Sequence, residues 1–146
     1  MDTITFAYRA GDDEIVIEIN GRSLRDLARA VELPEARRTR ERGLAGSYAW
    51  LPGHAVGWRA EHFLGIGREP RLADGDTWVL GCQCGDWGCW PLLARIEVAD
   101  SDVTWSGFRQ GHRDWDLGDL GPFHFGRAAY ERAVAELATG LARVRP

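Results

Sequence analysis

The sequence predicts an α+β fold, in which an antiparallel sheet is covered by two or three helices. Three observations point there. The first twenty residues alternate in the manner of a β-hairpin, and three further alternating segments follow one another between Thr77 and Phe108. Two stretches, one near the start and one at the end, carry helical periodicity instead. The sheet is therefore expected to combine an N-terminal hairpin with a C-terminal three-stranded meander. No internal repeat or linker interrupts the chain, so residues 1–146 are expected to form one domain, long enough to build a core without disulfide staples.

The first strand, "TITFAYRA", sets Ile4, Phe6 and Tyr8 against Thr3, Thr5 and Ala7. The second, "EIVIEI", places Ile15, Ile17 and Ile19 on one face, and Gly11-Asp12-Asp13 supplies the turn between them. Ser23, with Asp26 three residues on, is an N-cap for a helix with Leu24, Leu27, Ala28 and Val31 on its apolar stripe. Pro34 either ends that helix or opens another turn. The run "EARRTRER" from Glu35 to Arg42 holds four Arg and two Glu, and is expected to be a solvated helix face with internal ion pairs rather than a phosphate patch.

Residues 43–76 are rich in Gly, Pro and aromatics and show no dominant period; "AVGWRAEHFLGIG" fits a short strand or a helical turn. Beyond them, "TWVLGCQC", "CWPLLARIEVA" and "DVTWSGF" read as consecutive strands, the last two joined by an "ADSD" turn. A polar loop is expected from about Arg109 to His124. A helix from about Arg127 to Val144 closes the chain, with Tyr130, Val134, Leu137, Leu141 and Val144 at spacings of four, three, four and three.

Bulk composition excludes several classes of function. The chain is 45% hydrophobic and 27% charged, as ordinary globular proteins are. A net charge of −4 without a broad basic surface argues against nucleic acid as the main partner. No apolar run approaches the roughly 20 residues that span a bilayer, so no membrane role is expected. The acidic, alternating N-terminus lacks the features of a signal or transit peptide, and a cytoplasmic location is expected by default. Three cysteines are an odd number, which favours reduced thiols over a disulfide framework. All 18 basic residues are Arg, a bias expected of a GC-rich bacterial genome.

The chemistry concentrates in "WVLGCQCGDWGCWPLL", where Cys82, Cys84 and Cys89 fall within eight positions. If Cys84 and Cys89 flank a four-residue turn over Gly85-Asp86-Trp87-Gly88, all three thiols project to one face, and a one-residue slip would turn Cys89 away. Four readings stand side by side. Zinc would need a fourth ligand, from His112, His124, His62 or Asp86. A Cys84–Cys89 disulfide could exchange with Cys82. A catalytic thiolate could use His112 with Asp114 as its base. Alternatively, the cysteines are small hydrophobes that merely pack.

Four of the seven tryptophans (Trp87, Trp90, Trp105, Trp115) lie in or near this region. Trp105 belongs to an alternating strand and is expected in the core. Trp87 at the turn and Trp115 in the polar loop are either ligand anchors or rings folded back over the sheet. With Arg109, His112 and Asp114 of the same loop they make up the candidate ligand-binding set.

The strings "LGCQCGDWGCWPLLARI", "VTWSGFRQGHR" and "LGPFHF", with "HFLG" upstream, resemble a family of small uncharacterised bacterial proteins. Its members share a Cys-x-Cys-Gly hairpin followed by a Val-x-Trp-x-x-Phe strand, and the resemblance covers roughly residues 44–130. It implies no activity and transfers no catalytic residue. The expectation is therefore a non-enzymatic cytosolic binding or accessory module of a bacterium, with a protein or small-molecule partner. The alternative is a zinc-binding or thiol-redox protein built on Cys82, Cys84, Cys89 and His112.

Overall fold

Strict period-two alternation makes the first two strands, and the computed structural model, which describes residues 1–65 and 76–144, pairs them as β1 (Ile4–Arg9) and β2 (Glu14–Ile19). Phe6 lies opposite Ile17, and Arg9 opposite Glu14. At the turn Asp13 takes a positive φ of 52°, and its carboxylate accepts a 2.6 Å hydrogen bond from the Tyr8 hydroxyl. After Asn20-Gly21, the short β3 (Arg22–Ser23) folds back along β2.

Ser23 then caps α1 (Leu24–Arg38), its Oγ accepting a 3.2 Å hydrogen bond from the Asp26 N–H. The helix runs through Pro34 instead of ending there, and Arg38 pairs with Glu35 at 2.7 Å on its solvated side. Its buried stripe is Leu24, Ala28, Glu32 and Ala36. Leu27 and Val31, expected on that stripe, pack at its margin.

One sheet was the expectation; the structure has two. The first is β1-β2-β3, and the second is a five-stranded antiparallel sheet in the order β4 (Tyr48–Ala49), β5 (Thr77–Cys82), β6 (Leu92–Val98), β7 (Asp102–Gln110) and β8 (Phe123–Gly126). The meander thus gains an edge strand on each side. These two edges have two and four residues, too few for alternation to stand out from a loop. Two backbone links join the sheets, with the Ile15 N–H donating to the Leu51 carbonyl and the Asp2 N–H to the His124 carbonyl, both at 2.8 Å.

The tight Cys84–Cys89 turn does not form. β5 stops at Cys82 and β6 begins only at Leu92, so residues 83–91 make a longer connection. Pro91 has no N–H to give to a ladder, which bars β6 from extending back towards Cys89. Between β4 and β5, the irregular region holds 3-10 turns at Gly53–Val56 and Ala60–Leu64, so "AVGWRAEHFLGIG" takes the helical-turn reading as far as Gly65. Residues 66–75 lie outside the described residues.

A single buried cluster draws on both sheets and both helices. At its centre the Trp105 Nε1 donates to the Tyr130 hydroxyl at 3.0 Å, and that hydroxyl donates in turn to the Phe63 carbonyl. Tyr130 comes from α2 (Arg127–Ala142), which lays Tyr130, Val134, Leu137 and Leu141 against the core as the spacing predicts. Val144 falls beyond the end of α2 and is exposed, so the stripe is one residue shorter than expected. Among the described residues no helix is long and apolar enough to cross a membrane.

Candidate functional site

The connection from β5 to β6 is shaped by its own backbone. The Cys82 N–H donates to the Trp87 carbonyl at 3.2 Å, and the Cys89 N–H to the Asp86 carbonyl at 3.0 Å. Asp86 Oδ1 accepts from the Gly88 N–H at 3.2 Å, and Gly85 takes a φ of 99°, which a side chain would resist. Trp87 folds inward over β5, its ring edge-on to Trp78 at 4.6 Å. Gly81 makes room for it, since a Cβ there would stand 2.9 Å from the Trp87 Cβ.

This bend gathers the sulfurs. Cys82, Cys84 and Cys89 have Sγ atoms that all lie within 4.8 Å of one another, close enough to hold a metal ion. All three are free thiols. Cys84 and Cys89 are exposed and Cys82 is half-buried, so they are not the buried packing that an apolar role would require. The Cys84 N–H points at the Cys82 Sγ, 3.4 Å away. Hydrogen bonding with the Cys82 side chain holds the Cys84 thiol below the ordinary thiol range. Cys89 is pushed up, by desolvation first and by Cys84 beside it.

The three thiols open onto a cavity of about 370 Å³, whose other walls include Tyr48, Trp90, Gln110 and Arg113. Tyr48 is placed by β4, which sets it directly opposite Cys82. Its hydroxyl donates to Glu32 of α1, and the other Glu32 oxygen accepts from the Gly46 N–H at 2.8 Å. Gly46 has a φ of 67° and passes so close to α1 that a Cβ would meet the Arg29 Cβ at 2.5 Å. Glu32 is 1% exposed, and burial raises its carboxyl above the usual range against those two hydrogen bonds.

Gln110, buried at the end of β7, accepts the His112 N–H on its Oε1 at 2.6 Å and so shapes the turn that presents Arg113. The Arg113 guanidinium carbon lies 4.5 Å from the Trp90 ring centre and 4.6 Å from that of Trp115. Both distances suit cation–π attraction.

The expected ligand-binding residues are divided by the fold. Trp87 packs on Trp78, and Trp115 is buried with its ring against Arg113. Arg109 forms an ion pair with Asp76 at 3.0 Å. His112 is exposed and tilted against Trp90 at 5.0 Å. Asp114 is exposed, and among the described residues no hydrogen bond links it to His112, so the acid–base pair imagined for a catalytic thiolate is not assembled.

The expected fourth zinc ligands are likewise elsewhere. His62 is buried and bonded to the Trp78 carbonyl at 2.8 Å, His124 contacts Thr104 at 3.3 Å, and Asp86 is engaged within its own loop. Among the described residues the ligand group is the three cysteines, without His112. The sequence pointed to Trp90 and Arg113 only as part of an aromatic and polar region, outside the candidate set, and Tyr48, Gln110 and the Glu32 behind them were missed. Of those missed, Glu32 left a trace, as a charge spaced by four on the apolar line of Leu24 and Ala28. No family model, curated protein or solved structure matches the chain.

Proposed function

We propose that the protein is a non-enzymatic binding module that takes one thiophilic metal ion of the zinc class on Cys82, Cys84 and Cys89. The single observation that carries this is the set of three free, accessible sulfurs within 4.8 Å of one another at a cavity wall. Zinc binds thiolates at about 2.3 Å in tetrahedral sites, so a small contraction of this loop would seat it. The backbone N–H aimed at Cys82 would favour the charged form of that ligand. Three protein ligands leave the fourth position facing the cavity, the arrangement of a site that receives something from outside. Thiols of this kind persist in a reducing compartment such as the bacterial cytosol.

The test is titration of the reduced, metal-free protein with zinc against a chromogenic chelator. One equivalent is expected to bind, and replacing any one cysteine by serine should weaken binding by at least about tenfold. Equal zinc uptake by the wild type and the triple serine variant would sink the reading.

A second reading starts from the same geometry, the Cys84 and Cys89 sulfurs within 4.8 Å of each other, with the two thiols displaced in opposite directions from the ordinary range. Cys84 would then attack glutathione disulfide and Cys89 would resolve the mixed disulfide, yielding a Cys84–Cys89 bond and two glutathione molecules. Mass spectrometry after such treatment distinguishes the cases: a loss of two hydrogens that zinc does not block favours redox work.

A further inference from the structure

We infer that the cavity beside the thiols binds a small oxyanion, a carboxylate or phosphate group, on Arg113 at the open side of the metal. This deepens the metal-binding reading and rests on it.

Arg113 is the one positively charged side chain among the described residues lining the cavity. Its guanidinium is held against Trp90 and Trp115, yet among the described residues no hydrogen bond or ion pair takes up its N–H groups. A guanidinium steadied by aromatic rings keeps a planar fork of donors, whose natural complement is an oxyanion bound through two parallel hydrogen bonds. Glu32, the buried carboxylate behind Tyr48, feels the Arg113 charge but takes its hydrogen bonds from Tyr48 and Gly46, so Arg113 is not there as its hydrogen-bonding partner.

Gln110 adds a donor. Its amide oxygen is taken by the His112 N–H, which leaves the amide NH2 to face a ligand. The cavity, about 370 Å³, lies at the small end of ligand pockets, which run from roughly 300 to 1,000 Å³. That size suits a small molecule. Charge balance agrees: three thiolates around a dication carry one net negative charge, and an added anion needs a cation next to it, which Arg113 supplies.

The experiment uses the full chain loaded with cobalt(II), whose visible bands report both thiolate coordination and any change in the fourth ligand. Sodium acetate and sodium phosphate are titrated separately at constant ionic strength. The expected result is a saturable spectral change with at least one anion, and the stronger response tells a carboxylate from a phosphate ligand. Arg113→Gln should keep the thiolate–cobalt bands, which shows that the loop is intact, while weakening the anion by at least tenfold; Arg113→Lys should fall between. An unchanged anion response in Arg113→Gln, or none in the wild type, overturns the proposal. If cobalt produces no thiolate bands, the metal-binding reading fails by itself. Nitrogen-resolved NMR of the metal-free chain with the same anions then decides the rest: shifts at the Arg113 Nε and Gln110 amide uphold the anion site, and unmoved signals remove it.

Discussion

Trp105, inside the five-stranded sheet, and Trp90, on the connection that enters it, are opposites in their surroundings. Trp105 is 0% exposed, surrounded by Phe6, Phe63, Phe125 and Tyr130, and its single polar atom is bonded inside the core. Trp90 is 36% exposed at the rim of the cavity, flanked by His112 and Arg113. Around Trp105 each polar group has found a partner within the chain. Around Trp90 thiols and a guanidinium still face outward. The first arrangement maximises cohesion; the second leaves charged and sulfur groups at the surface, as the proposed binding role would require.

Truncation at these two positions is the sharpest way to break the contrast. Trp105→Ala should cost about 3–5 kcal/mol in urea unfolding, since it empties the core and removes the donor to the Tyr130 hydroxyl. Next in size is the effect of zinc. At a hundred times its dissociation constant, zinc should raise unfolding stability by at most about 2.7 kcal/mol, and it should do nothing for the triple serine variant.

Glu32 provides a pH signature of intermediate size. Its carboxyl is raised in the folded state by burial, so the fold holds this proton to a higher pH than the unfolded chain does. Between the unfolded and folded values the native state binds more protons, and stability falls as pH rises. Glu32→Gln should remove that decline, seen as the difference between the two proteins' urea midpoints from about pH 4 upward. Asp2 slopes the other way, because its hydrogen bond from Asn20 lowers its carboxyl; the comparison with Glu32→Gln cancels it. The smallest effect should come from Trp90→Ala, within about 0.5 kcal/mol in unfolding stability as for other surface changes. Should Trp90→Ala unfold the protein as readily as Trp105→Ala, the division between core and site would collapse.

How much of this could be read from sequence depended on whether a feature was local. β2 emerged with the bounds 14–19 because Ile15, Ile17 and Ile19 alternate over six residues. The α2 stripe was equally plain. β4 and β8 stayed hidden because two and four residues cannot establish a period. The gathering of Cys82, Cys84 and Cys89 was anticipated, but through a strand register that Pro91 forbids; Asp86 and the inward fold of Trp87 bring it about instead. Arg113 was read as part of the polar loop but left out of the candidate ligand set, because its partner Trp90 lies on another connection and only the β6–β7 pairing brings the two together. The expected ligand set had chosen its neighbours His112 and Asp114, which carry the more familiar chemistry.

The three sulfurs lie within eight positions of one another, whereas Tyr48 and Glu32 are separated by 16 residues and the wall they form joins three elements. Closing a short loop costs little entropy, so a disordered chain can already bring those sulfurs near one another. The cavity has no such shortcut; it comes into being only when α1, β4 and β5 have docked. On the metal-binding reading, capture would therefore precede the native state, and some of the ion's affinity would be spent on unfolded chains. The proposed recognition of an anion would have to wait for the finished fold.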